Sequence, residues 1–169
     1  MKTLIVYYSR AFENYVNGEI RDLKVGNTEV AAKMIQEIVG GDIFKIDQVE
    51  SYSKDYNTCI QEARVDQNKN ARPILKETLD SIDEYDLIYL GYPNYWNTMP
   101  MAVFTFLEAY DFSGKTIKPF CTHEGSGMGK SVEDIEKLCP HANVLKGLAI
   151  HGGDVNNSFN LIESWCKDE

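Results

Sequence analysis

The chain has 169 residues and carries 17 Lys and Arg against 26 Asp and Glu, a formal net charge of −9. That length suits one domain over residues 1–169, with a core large enough to need no staples. The acidic balance argues against nucleic acid or anionic membrane as a partner and favours basic protein surfaces. Cys59, Cys121, Cys139 and Cys166 are dispersed, with no Cys-x-x-Cys pair, and His123, His141 and His151 form no cluster. They therefore read as reduced thiols in an interior and as scattered histidines, with no metal site.

Thr3 to Tyr8 (TLIVYY) is a continuous apolar run with branched and aromatic residues, which predicts a buried strand. It is too short for a signal peptide or a membrane span, so the chain is expected to be cytoplasmic. Ser9 and Arg10 begin the loop after it. An insertion at residues 11–25 contains Asn17-Gly18, the preferred two-residue turn of a small hairpin, expected to fold over or beside that loop. Next, Gly26-Asn27-Thr28 precedes a helical pattern at Ala31, Met34, Ile35 and Ile38, stopped by Gly40-Gly41. Asn27 or Thr28 is the predicted N-cap. The N–H groups of that first turn favour an anion, a phosphate above all, although the same residues also suit plain capping.

Residues 42–49 alternate apolar and charged side chains, as an edge strand does. The polar segment 51–85 carries an interrupted helical signal. A first helix is predicted through Ile60, Ala63 and Arg64 to Asn70, a break at Arg72-Pro73, and a second helix on Ile74, Leu75, Leu79 and Ile82.

The stretch Asp86 to Asn97 (DLIYLGYPNYWN) organises the rest. Leu87 to Leu90 reads as a strand buried on both faces, and Gly91 and Pro93 turn it into a loop. Ligands of parallel sheets bind outside the carboxyl ends of the strands, which is where Asn94, Tyr95, Trp96 and Asn97 fall. Two adjacent aromatics there serve either as a plug for the core or as the wall of a site. Pro100 then opens a helix with Val103, Phe104 and Leu107 inward. Thr116 to Thr122 is the fourth strand, with Pro119 a warning about its hydrogen bonding. Residues 144–150 are the fifth, and Phe159, Ile162 and Trp165 form the stripe of a last helix. This alternation predicts an α/β fold, a doubly wound five-stranded parallel sheet.

After the fourth strand, His123-Glu-Gly-Ser-Gly-Met-Gly-Lys-Ser131 imitates a nucleotide P-loop. The first glycine of that motif would fall on Glu124, whose carboxylate repels phosphate, so a triphosphatase is rejected. Gly125, Gly127 and Gly129 instead let backbone approach a flat ligand, flanked by Thr122, His123, Glu124 and Ser126. An anion cradle, an aromatic loop and a glycine-rich loop at one sheet edge together suit a ligand with a phosphate tail and a planar heteroaromatic head.

These residues resemble the flavodoxin family. The likeness covers nearly the whole chain: the strand ending Tyr-Tyr-Ser9, Val-Gly-Asn-Thr28, Gly-Tyr-Pro-Asn-Tyr-Trp96, the run from Phe106 to Lys115, and Pro-Phe-Cys-Thr-His-Glu-Gly-Ser-Gly127. The resemblance implies strand order 2-1-3-4-5 and non-covalent FMN. By position, Ser9, Arg10, Asn27 and Thr28 would hold the phosphate. Pro93, Asn94, Tyr95, Trp96 and Asn97 would flank the isoalloxazine on one side. Thr122, His123, Glu124, Gly125, Ser126 and Gly127 would line its edge and other side. Two features depart from the family pattern. The insertion splits the phosphate loop, and the third loop has no aromatic to sandwich the ring. The function expected is electron transfer between redox partner proteins, a reductase and an acceptor with basic surfaces. The alternatives are an NAD(P)H-dependent FMN reductase of quinones or nitroaromatics, with His123 and Glu124 near the ring, and a non-redox domain on the same fold.

Overall fold

The computed structural model describes residues 2–168. In chain order the elements are β1 (Thr3–Tyr8), β2 (Phe12–Val16), β3 (Glu19–Leu23), α1 (Asn27–Val39), β4 (Asp42–Ile46), α2 (Tyr56–Asn68) and β5 (Leu87–Pro93). They continue with α3 (Met101–Ala109), β6 (Thr116–His123), α4 (Ser131–Leu138), β7 (Asn143–Val144), β8 (Leu148–His151), a 3-10 segment (Gly152–Asn157) and α5 (Phe159–Lys167).

β4, β1, β5, β6 and β7 lie side by side in that order, all parallel, with β8 also paired to β6. Counting β7 and β8 as the two pieces of one strand, this is the order 2-1-3-4-5. Alternation along β1 shows why the sheet needs cover on both faces. Leu4, Val6 and Tyr8 join the core under α3 and α4, whereas Ile5 and Tyr7 join the core under α1 and α5. Both groups are buried, which is what the unbroken apolar run encodes.

Pro119 sits inside β6 opposite Leu90, and its effect appears on the other side. Ile117 pairs with Val144 and Phe120 with Leu148, so three steps on β6 face four on the last strand. The single strand expected over 144–150 is therefore split into β7 and β8 by one extra residue, a bulge placed where proline offers no N–H.

Two further expectations are corrected. α2 starts at Tyr56, capped by the Asp55 carboxylate, which accepts from Thr58 N–H at 2.9 Å. The second helix predicted on Ile74 to Ile82 does not form. Its backbone is claimed by partners instead: Val49 N–H donates to Ile74 O, Lys76 N–H donates to Asp47 O, and the Tyr110 hydroxyl bonds both N–H and C=O of Leu79. Leu75 and Ile82 still reach the core as anchors of an irregular segment, while Ile74 is 75% exposed. No helix among the described residues is long and apolar enough to cross a membrane.

Candidate functional site

Because all strands of the main sheet are parallel, Tyr8, Pro93, His123 and His151 end on one edge, and the loops leaving them converge. Between these loops and α2 lies a cleft of about 350 Å³, within the range of small-ligand sites.

One end is built by the first turn of α1. Gly26, not Asn27 or Thr28, is the residue at the cap, and no side chain of its own caps the helix. Ser9 does so from a distance: its Oγ accepts from Glu29 N–H at 3.0 Å. A Cβ on Gly26 would stand 2.2 Å from Ser9 Oγ and 2.4 Å from Arg10 O, so glycine is what lets β1's exit press against the helix start. Val30 N–H bonds Gly26 O, which leaves the Asn27 and Thr28 N–H groups without a protein acceptor among the described residues. The Thr28 hydroxyl is held by Thr122 Oγ1 at 2.7 Å, both side chains being buried. Arg10 lines the same end, its guanidinium oriented by Glu13 O at 3.0 Å and Lys54 O at 2.9 Å.

The middle of the cleft is aromatic. Asn94 braces it: its side-chain N–H donates to Gly127 O, its side-chain oxygen accepts from Asn97 N–H, and its own N–H donates to Thr122 O, each at 2.9 Å. The second and third loops are thereby one unit. Tyr95 meets Tyr8 edge-on at 5.9 Å, with its ring partly open and its hydroxyl buried without a partner. Burial pushes that phenol well above its ordinary pKa. Trp96 leans onto α2, donating from Nε1 to Ile60 O at 2.7 Å, with the Arg64 guanidinium 5.1 Å from its ring centroid. Trp96 and Asn97 both have positive φ, an uncommon backbone for either, held by the Tyr95–Thr98 turn and by Gln67 on Trp96 O.

The far wall is the third loop. His123 Nδ1 accepts from Gly125 N–H at 2.9 Å, which places the proton of the neutral ring on Nε2. Burial lowers the His123 pKa and the neighbouring His151, 5.9 Å away between ring centroids, lowers it further. Glu124 Oε1 accepts from Asn17 N–H at 2.6 Å, while Oε2 is buried with no partner.

Of the residues singled out in the sequence, Arg10, Asn27, Thr28, Pro93, Asn94, Tyr95, Trp96, Thr122, His123, Glu124 and Ser126 line this one cleft. Ser9, Asn97, Gly125 and Gly127 stand outside its lining, where they shape the loops. The structure adds Asn14 and Tyr15 from the hairpin, Tyr56, Cys59, Ile60 and Ala63 from α2, and Gly152 beyond β8. Tyr15 and Tyr56 stack with centroids 5.9 Å apart, so the aromatic count at the cleft is higher than the loops alone suggest. The Asn17-Gly18 turn was the one local signal pointing to the hairpin; nothing local marks Tyr56.

A family model described as Flavodoxin matches residues 23–168, and the chain belongs to that family. A protein described as a flavoprotein, from Bacteroides uniformis ATCC 8492, is 30% identical, with a TM-score of 0.78 over 99% of this chain and 98% of that one. Another, from Bacteroides eggerthii DSM 20697, is 28% identical, with a TM-score of 0.72 over 95% and 97%. A flavoprotein from Lactobacillus acidophilus NCFM, solved in complex with FMN, shares the fold at 23% identity and a TM-score of 0.63 over 92% and 97%. No curated protein matches the sequence.

Proposed function

We propose that this chain binds FMN non-covalently in the cleft and carries electrons between redox proteins. The observation that carries the reading is the pairing, in one cleft of about 350 Å³, of a helix turn with free N–H groups and a wall of Tyr95 and Trp96. The first suits a phosphate and the second a flat ring. The donor set fits as well, since the unpartnered Tyr95 hydroxyl and Glu124 Oε2 are buried polar atoms at the cleft, of the kind a polar ligand satisfies.

In this reading Asn27 and Thr28 N–H groups and the Arg10 guanidinium hold the phosphate, Tyr95 and Trp96 flank the isoalloxazine, and the Thr122 to Ser126 backbone reads its edge. Bound FMN would supply reversible one- and two-electron chemistry. The protein's part is to bind, to orient and to set the field. A net charge of −9 disfavours further negative charge on the ligand and steers basic partners toward it. Anaerobic reduction of the FMN-loaded protein, followed by visible spectra and repeated with a flavodoxin reductase as electron donor, tests the reading. Reduction by the reductase in one-electron stages supports a carrier, and its absence counts against one.

One observation favours a second reading, an NAD(P)H-dependent FMN reductase of quinones or nitroaromatics. His123 and Glu124 both line the cleft, and the neutral His123 ring has an N–H to donate. Rapid NADPH oxidation by the FMN-loaded protein with a quinone supports this reading; no reaction at about millimolar NADPH, the top of the usual KM range, ends it.

A further inference from the structure

The β2–β3 hairpin is tied down along β2 and at its tip. Glu13 N–H donates to Lys54 O at 3.3 Å and the Glu13 carboxylate accepts from Tyr56 N–H at 2.9 Å, while Asn17 N–H donates to Glu124 Oε1 at 2.6 Å. The outer side of β3 has no such tie. Among the described residues β3 pairs with β2 alone, and Glu19, Ile20, Arg21 and Asp22 are all exposed. Asn17 and Gly18, both with positive φ, form a two-residue turn closed by Val16 and Glu19. Hydrogen-bonded and non-hydrogen-bonded pairs alternate away from that closing pair. Glu19, Arg21 and Leu23 therefore turn their backbone groups toward β2, whereas Ile20 and Asp22 turn theirs outward. Ile20 shares a face of the hairpin with Tyr15, its partner on β2, at 46% and 43% exposure. A two-stranded sheet is marginal in water, and an open strand on it is a template for another.

We infer that β3 pairs antiparallel with β3 of a second copy of this chain, about a two-fold axis at Ile20, so that the two hairpins form one four-stranded sheet. The pairing stands independently of the FMN reading. The residues of β3 select the register. In a two-fold antiparallel pair only residues with the same backbone orientation oppose each other, so the axis falls on a residue and that residue faces its own copy. An axis at Glu19, Arg21 or Asp22 sets like charges face to face, and an axis at Leu23 pairs each strand with the bend at Lys24 and Val25. An axis at Ile20 avoids both. It sets isoleucine on isoleucine, Glu19 opposite Arg21 of the second copy, and Asp22 opposite the uncharged Gly18. Each Ile20 N–H then donates to the Ile20 C=O of the other copy. On one face Tyr15 and Ile20 continue into the same residues of the second copy as an apolar row across all four strands. On the other face the Arg21–Glu19 ion pair, 3.3 Å within one chain, joins its copy in a network of alternating sign. The strand thus carries its own complement of charge, which points to a second copy as its occupant. Five residues from each chain make a small contact, so the dimer is a transient one.

The test is sedimentation equilibrium of the full chain from about 10 μM to about 1 mM, in wild type and in three variants. Every substitution falls on an exposed side chain that does not line the cleft, where the fold tolerates change. Wild type is expected to show a monomer–dimer equilibrium with a dissociation constant of about 100 μM, and slower hydrogen exchange at Ile20 N–H as concentration rises. Ile20→Lys sets two cations together at the axis, and Arg21→Glu sets glutamate opposite glutamate on both sides of it. Each should weaken association at least about tenfold. Glu19→Arg combined with Arg21→Glu exchanges the charges and should restore association to within about threefold of wild type. A wild type that stays monomeric at about 1 mM overturns the inference and leaves the open strand to a segment of another protein. A dimer that Ile20→Lys and Arg21→Glu leave intact uses another face and overturns it too. Failure of the charge exchange to restore association removes the register at Ile20, and the inference with it.

Discussion

The cleft has two halves on different foundations. The loops after β5 and β6 continue strands whose side chains are almost wholly buried, and Asn94 ties the two loops to each other. The hairpin is not hydrogen-bonded into the main sheet: β2 and β3 form a two-stranded sheet of their own. Phe12, Tyr15 and Ile20 are 44%, 43% and 46% exposed, and the hairpin is held by contacts at its two edges. The core therefore fixes the first half, whereas the second half depends on a few local bonds and opens at lower free energy. In the FMN reading, the platform for a flat ring belongs to the rigid half, and Glu13 O, which orients Arg10 at the anion end, belongs to the separable one.

The largest effect that would break this division is Asn94→Ala. It removes the side-chain bonds to Gly127 O and Asn97 N–H and unlinks the two rigid loops. Thermal or denaturant unfolding should show a loss of about 2–3 kcal/mol, from two hydrogen bonds and the groups they leave unpaired. FMN affinity should fall with it. Trp96→Ala should weaken FMN binding by about 1–3 kcal/mol, the range for losing an aromatic platform, in a fluorescence titration. Unchanged affinity would move the stack onto Tyr95. Glu13→Ala, on the hairpin, should lower stability by only about 1 kcal/mol because it removes one bond, to Tyr56 N–H, at a partly exposed site. Hydrogen exchange should localise its effect to residues 12–23.

The smallest effect is a pH slope from His123. Burial holds its folded pKa below the ordinary 6.5, so the unfolded chain binds the proton more readily. Stability from this group is complete above pH 6.5, declines as pH falls through 6.5 toward the lower folded value, and levels off below it. His123→Gln should flatten that part of the stability–pH curve.

The strands at the base of the rigid half were legible because burial on both faces leaves an unbroken apolar run, as in residues 87–90. The hairpin was legible because Asn17-Gly18 is a local rule with a local cause. Leu75, Leu79 and Ile82 misled for the opposite reason. Their spacing suits a helix, yet Asp47, Val49 and the Tyr110 hydroxyl, all distant in sequence, claimed the backbone first. The cap of α1 shows the same limit: Asn27 and Thr28 are good caps by type, but Ser9 arrives from the end of β1 and takes Glu29 N–H. Tyr15 and Tyr56 became cleft residues only through the packing of the hairpin on α2, which no local pattern in either segment encodes.

The most direct measurement is an equilibrium titration of the purified protein with FMN, read by visible absorbance. The account predicts one saturable site with a dissociation constant of about 1 μM or tighter, and a perturbed flavin spectrum from stacking on Tyr95 and Trp96. No binding at about 1 mM FMN would contradict it.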